Sequence, residues 1–327
     1  MRALRRHALE VVAVLCLVGL VLAVRPAALA DVFGRVRIPL LLLMLPVTIG
    51  TYLARSLGWW VTLRAVEVDV DIRHSIAVEF AGQTMIFMPT GDLARIALIK
   101  EVTGTRRSGG QLTATIAFGE LLFMTLMGLG VLPRIASHPD IALLLIAMVL
   151  VHLMLITVLA WRPAHNWAIR MVERIRPMRR FDSQLRSIRP AFIELLHVRV
   201  VIPVLLCNGV AVVLSYLLFY LSLHAVGQPQ VGFVVASFVL ALSFVISGIS
   251  LIPGGVGPFE GLLTVLMIAN GVPPAAGAAA GLLFRGFNDV LMAGVGAVFL
   301  LLIRRGLLHE RPRSRRARNR RASPRTR

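Results

Sequence analysis

Few ionisable residues interrupt the apolar runs of this chain, and those few are the ones that could do chemistry. Glu120 falls near the middle of the run 112–132. Glu260 follows the break Pro253-Gly254-Gly255-Val256-Gly257-Pro258-Phe259, and Arg285 and Asp289 stand four apart inside the run 275–303. Upstream, Pro89-Thr90-Gly91-Asp92-Leu93-Ala94-Arg95 echoes the same order of apolar lead-in, Pro, small residue, Gly and charge, with Lys100 five residues further on. A carboxylate at the centre of a membrane helix costs about 2.5–3.5 kcal/mol on insertion scales, so it faces a cavity or a partner. Arg and Lys there would hold phosphate, Arg best because its planar fork is bidentate. Glu120 and Glu260 could accept an amine or carry a proton, and the N-termini of broken helices attract anions. The product would be a polar path flanked by lipid, suited to a headgroup whose tails stay in the bilayer. The plainer chemistry is internal pairing that locks the fold, with Asp92 capping a helix and Asp289 pairing with Arg285 across one helical turn.

The elements that must position these residues are membrane helices. The 327 residues are 57% hydrophobic with mean hydropathy +0.81, far from soluble usage, and several runs reach the roughly 20 residues of a span. No period-two strands appear, which excludes a barrel. Net charge is +19, and of 35 Lys and Arg only Lys100 is Lys. Nine Arg fall within 162–199 and eleven within 304–327. Such clusters read as positive-inside signals that meet anionic lipid headgroups, rather than as a nucleic-acid surface. Cys16 and Cys207 both lie in apolar runs and suggest neither a disulfide framework nor a metal site.

In chain order, Arg2, Arg5 and Arg6 precede an apolar run at 11–24, and Ala28-x-Ala30 imitates a signal-peptide cleavage site. The next apolar segment follows at once, so an uncleaved first helix is the preferred reading. Spans are predicted at 38–54, closed by Trp59 and Trp60 as interfacial aromatics, and at 112–132, 141–161, 200–226 and 275–303. The segment 76–88 is 13 residues long, carries Glu79 and Gln83, and suits a re-entrant piece better than a span. A helix restarts at 93–102. Residues 231–252 enter the membrane, break at Pro253, and 259–270 leave it. The loop 162–199 reads as partly helical on the membrane surface, and the tail 304–327 as disordered and cytoplasmic.

With both ends inside, the charges fit an all-α polytopic protein of about six full spans plus two re-entrant helical hairpins, one dipping from each side. Each hairpin precedes a span with a buried charge, Glu120 or Arg285. That is the pattern of an inverted repeat whose broken helices meet near the midplane. Residues 1–303 form the membrane domain.

Pro253-Gly254-Gly255-Val256-Gly257-Pro258-Phe259-Glu260, with Pro89-Thr90-Gly91-Asp92-Leu93-Ala94-Arg95 upstream and Leu283-Phe284-Arg285 downstream, resembles the lysylphosphatidylglycerol synthase transmembrane family. That family includes the flippase half of the bacterial multiple peptide resistance factor and many stand-alone proteins of this length. The resemblance covers roughly residues 10–303. It implies a flippase-like fold, transfer of a lipid between leaflets of the cytoplasmic membrane, and a homodimer; the Arg and Lys residues and the helix N-termini above point to an anionic phospho- or glycolipid as that lipid. Members often carry a Glu-Arg pair followed by Asp in the span after the first re-entrant motif. Here Phe118-Gly119-Glu120-Leu121-Leu122-Phe123-Met124 keeps one acid, and the soluble aminoacyl-transferase half is missing.

The expectation is therefore a lipid transporter and not an enzyme, without cofactor or metal. The alternatives are an accessory subunit of a lipid-modifying pathway (hopanoid, glycolipid or aminoacyl-lipid) and, further off, a membrane glycosyltransferase. Only Asp69-Val70-Asp71 hints at the last, as a carboxylate pair for a divalent cation, and it reads as a solvated acidic loop.

Overall fold

The computed structural model describes residues 26–85, 91–137, 139–174, 182–249 and 257–307. Every element among them is helical. In order they are α1 (Pro26–Gly34), α2 (Ile38–Ala65), α3 (Ile72–Gly82), α4 (Gly91–Thr103), α5 (Gly109–Leu129), α6 (Pro139–Ala160), α7 (Arg162–Glu173), α8 (Asp182–Leu195), α9 (Val198–Ala225), α10 (Phe233–Ile249), α11 (Pro258–Ala269), α12 (Pro274–Arg285) and α13 (Met292–Arg304). Short 3-10 turns follow α3 and precede α6, and a π turn, Gly286–Leu291, joins α12 to α13.

Among the described residues, four stretches are long and apolar enough to cross a membrane: Ile38–Ala65, Gly109–Arg134, Val198–Ala225 and Pro274–Arg304. A fifth is counted if α6, which turns through 91° into α7, is taken with α7 as one span. The predicted first span, 11–24, lies outside the described residues, as do the breaks around Pro89 and Pro253-Gly254-Gly255 and the tail from 308 onward. Ala28 and Ala30, the cleavage-site mimic, lie in α1, whose Leu29 is buried.

One order of elements occurs twice. A 28-residue helix, a shorter helix, a break, a second short helix and a long helix appear as α2–α3–α4–α5 and again as α9–α10–α11–α12/α13. The two leading helices run antiparallel along their length. Arg37 at the start of α2 donates its N–H to Ala225 O at the end of α9 at 3.1 Å. Further along, Gly50 faces Leu214 and Gly58 faces Cys207. The core falls into two large clusters, each centred on one set of helices but drawing on the other, through Met44 and Phe123 in one and Val204 and Ile303 in the other. Phe219, Phe259 and Phe284 meet around α9–α12, while Leu63, Val78, Ile99, Leu112 and Phe192 pack α2–α5 and α8 together. Tyr52, Phe80 and Met292 form a small cluster between them.

Three expectations are corrected. The second span does not stop at Ala54 but continues as α2 to Ala65, because Arg55, which looked like a terminus, has its charge matched inside the bundle. Trp59 is accordingly not an interfacial residue. It is buried and donates Nε1–H to Thr115 Oγ at 3.0 Å, and Trp60 donates to Val70 O. Asp92 falls inside the first turn of α4 rather than ahead of it, since the helix starts at Gly91.

Candidate functional site

Two ion-paired clusters sit on these helices. In the first, α2 supplies Arg55, α3 Glu79, α4 Arg95 and α5 Glu120. Arg95 Nη1 lies 2.5 Å from Glu79 Oε2 and Arg95 Nη2 3.4 Å from Glu120 Oε1. Arg55 Nη2 donates to the same Glu120 oxygen at 2.5 Å, and its Nε is 3.8 Å from Glu79 Oε1. Gln83 donates to Glu79 at 3.5 Å. Arg55 stacks 4.6 Å above the Phe123 ring and Arg95 5.7 Å from Trp59. The four charges line a small cleft, about 20 Å³, with Trp59, Thr115, Gly119 and Asn208, enough for one or two waters. Glu79 and Arg95 are sealed, at 1% and 5% side-chain exposure, whereas Arg55 and Glu120 sit at the mouth, at 19% and 30%.

The second cluster lies on α11, α12 and the π turn. Arg285 Nε is 2.8 Å from Glu260 Oε1 and Nη1 is 2.5 Å from Asp289 Oδ2. Each carboxylate takes another donor. Gly257 N–H reaches Glu260 Oε2 at 2.6 Å, and Asn288 Nδ2 reaches Asp289 Oδ1 at 2.7 Å. The first of these closes the N-terminus of α11 and uses Gly257 at φ 94°, ψ −68°, a conformation open to glycine. Arg285 also stacks 4.5 Å over Phe259. Arg285, expected as a phosphate fork, is thus faced by two carboxylates, so this cluster is the more negative of the two.

Tyr52 joins the clusters. One turn before Arg55 on α2, it donates its hydroxyl to Asn288 O at 2.9 Å and packs against Phe80.

The structure therefore brings Arg95 together with Glu120, and Glu260 together with Arg285 and Asp289. Lys100, in the last turn of α4, does not line the cleft. Pro89, Pro253, Gly254 and Gly255 fall outside the described residues. Helix α4 starts at Gly91, two residues before the predicted restart at 93, and α11 starts at Pro258, one before 259, with Gly257 as its N-cap. Sequence reasoning missed Arg55 and gave Glu79 no partner. The one hint is position: α2 carries Arg64 in its last turn but Arg55 well inside an apolar helix, where a charge needs a carboxylate on a neighbour. Glu79, on α3, is the second carboxylate of the cluster to which Glu120 belongs. Asp69 is a surface residue, 84% exposed and 4.0 Å from Arg64. Among the described residues no three His, Cys, Asp or Glu converge as metal ligands would.

The model of the lysylphosphatidylglycerol synthase TM region matches residues 8–296. The chain belongs to that family. As a member it is a multi-pass membrane protein of a lipid-related family, and the matched region takes in both clusters and the repeated order of helices as far as the first residues of α13. No curated protein matches the chain.

Proposed function

We propose that this family member moves a lipid between the leaflets of the cytoplasmic membrane, passing the headgroup along the charged residues while the tails remain in the bilayer. The observation that carries this reading is the cleft of Arg55, Glu79, Arg95 and Glu120. It sets four ionisable groups inside an apolar helical bundle with the outer pair reachable at its mouth. Charges so placed are costly and mark substrate paths more often than scaffolding.

In this reading α3–α4 and α10–α11 are re-entrant hairpins entering from opposite sides, and the antiparallel α2 and α9 relate two inverted halves. Both termini lie in the cytoplasm. The basic segment around α7 and α8 rests on anionic headgroups, and the protein works without cofactor, as a homodimer.

The test is transbilayer movement of tail-labelled lipids in proteoliposomes. Purified protein should move label faster than empty liposomes do, and Arg55→Ala or Arg285→Ala protein that still folds should lose most of that rate. Folded protein that moves no lipid under pH or potential gradients would refute the proposal.

A further inference from the structure

The charges lining the cleft cancel, two guanidinium groups against two carboxylates. The inner pair, Glu79 with Arg95, is closed off. The outer pair, Arg55 with Glu120, is open and only partly used. Arg55 Nε makes no hydrogen bond among the described residues, and Glu120 accepts there through Oε1 only, from Arg55 and Arg95. Arg55 Nε is itself buried and turned inward, 3.8 Å from Glu79 Oε1, so what the mouth presents is the Arg55 Nη2–Glu120 Oε1 contact with a second carboxylate oxygen, Glu120 Oε2, beside it.

The empty space is too small for a headgroup to enter as an addition. A headgroup must take the place of the Arg55–Glu120 contact, and its own charges decide the cost. An anionic headgroup would satisfy Arg55 but take from Glu120 its close partner, leaving that carboxylate only the longer 3.4 Å contact to Arg95. A neutral sugar would leave Arg55 with Glu79 at 3.8 Å and Glu120 with Arg95 at 3.4 Å, neither with a close ion partner. A headgroup with a phosphate and an ammonium a few bonds apart lets Arg55 move to the phosphate and Glu120 to the ammonium, so every charge keeps a partner. The preference against the other two classes is then built into the site by the close ion pair they would break without replacing.

We infer that the Arg55–Glu120 mouth selects a compact zwitterionic headgroup of the phosphoethanolamine type, by exchange of ion pairs. This rests on the lipid-transport reading of the same cleft and replaces the anionic headgroup expected from sequence. Arg55 binds the phosphate, Glu120 the primary ammonium, and Glu79–Arg95 holds Glu120 in place from behind.

Two measurements decide it. In proteoliposomes carrying tail-labelled phosphatidylethanolamine, phosphatidylglycerol and a neutral glycolipid in turn, phosphatidylethanolamine should move fastest. Glu120→Gln should shift the ethanolamine-to-glycerol rate ratio toward phosphatidylglycerol by about tenfold or more, the factor carried by one charge-assisted contact. Faster movement of phosphatidylglycerol or glycolipid by the unmodified protein, or an equal change of both rates in Glu120→Gln, would overturn the inference. The second measurement needs no transport and no variant: thermal stabilisation of the detergent-solubilised protein by soluble glycerophosphoethanolamine against glycerophosphoglycerol. A larger shift with the ethanolamine compound supports the exchange and an equal or smaller one refutes it, even if no lipid moves and the transport reading itself fails.

Discussion

Glu120 and Arg285 are each the twelfth residue of the helix that follows a short broken-helix segment, Glu120 in α5 and Arg285 in α12. Their charges are opposite, and so are those of their partners near the start of the preceding short helix. Arg95 on α4 faces Glu120 at 3.4 Å, and Glu260 on α11 faces Arg285 at 2.8 Å. The two halves therefore hold the same ion pair at the same place with its polarity reversed. Reversal leaves the shared geometry intact, because a guanidinium–carboxylate contact is indifferent to which helix supplies which group. The electrostatics around each pair then diverge: added Arg55 and Glu79 keep the first cluster balanced, while added Asp289 makes the second negative.

Breaking the sealed pair should be worse than removing it. Glu79→Leu alone leaves Arg95 as a buried charge short of its nearest carboxylate and should cost about 3–5 kcal/mol. The double variant Glu79→Leu/Arg95→Met restores apolar packing and should recover much of that loss. Denaturation of the detergent-solubilised proteins checks the order, and a double variant no better than the single one would contradict it.

Tyr52→Phe keeps the ring against Phe80 but removes the hydroxyl from Asn288 O. The expected loss is about 1–3 kcal/mol, the usual cost of leaving a buried polar group unpaired. Since this bond ties α2 to the π turn that carries Asp289, lipid movement should fall as well, and both are read on one preparation.

Two glycines of α13 give an internal contrast. A Cβ on Gly296 would come within 2.3 Å of Phe80 O on α3, whereas one on Gly294 would meet nothing within 4 Å. Gly296→Ala should destabilise by roughly 1–3 kcal/mol through overpacking. Gly294→Ala should be neutral or stabilising by up to about 1 kcal/mol, as expected for alanine in a helix. Melting temperatures of the two variants should move in opposite directions or differ clearly in size.

His165 on α7 is buried, at 7% exposure, and burial, helped by Arg189 and Arg186 nearby, pushes its imidazole below the usual histidine range. The folded state therefore binds fewer protons than the unfolded chain in the window just under the ordinary value. Stability contributed by the neutral ring is present above about pH 6.5 and is lost as pH falls below it. Unfolding followed from pH 7.5 down to 5.5 should show this decline, and His165→Gln should flatten it.

Helix α7 leaves α6 at 91° and turns Trp167 and Met171 outward beside Arg170 and Arg174, while His165 and Ile169 face the protein. A face of this kind sits at the boundary of an anionic leaflet. In a variant keeping Trp167 as its sole tryptophan, brominated phosphatidylglycerol should quench fluorescence more strongly than brominated phosphatidylcholine. Arg170→Gln/Arg174→Gln should remove the difference.

Length and composition alone determined that this is a helical membrane protein, and the Pro-Gly breaks determined where helices restart. Apolar runs and helix breakers are local properties, so the restarts followed from them to within two residues, 93 against Gly91 and 259 against Pro258, while the end of the second span, placed at 54 against Ala65, did not. The spacing of Arg285 and Asp289 likewise foretold their contact, since four residues make one turn. What tertiary structure decided was every partnership between distant helices. Nothing local distinguishes an Arg that ends a span from one such as Arg55 that continues through it, because the difference lies in whether a carboxylate waits on a neighbouring helix. Glu79, 24 residues away, and Glu120, 65 residues away, become its neighbours only when α3 and α5 fold against α2. The charge balance of the cleft follows from that packing.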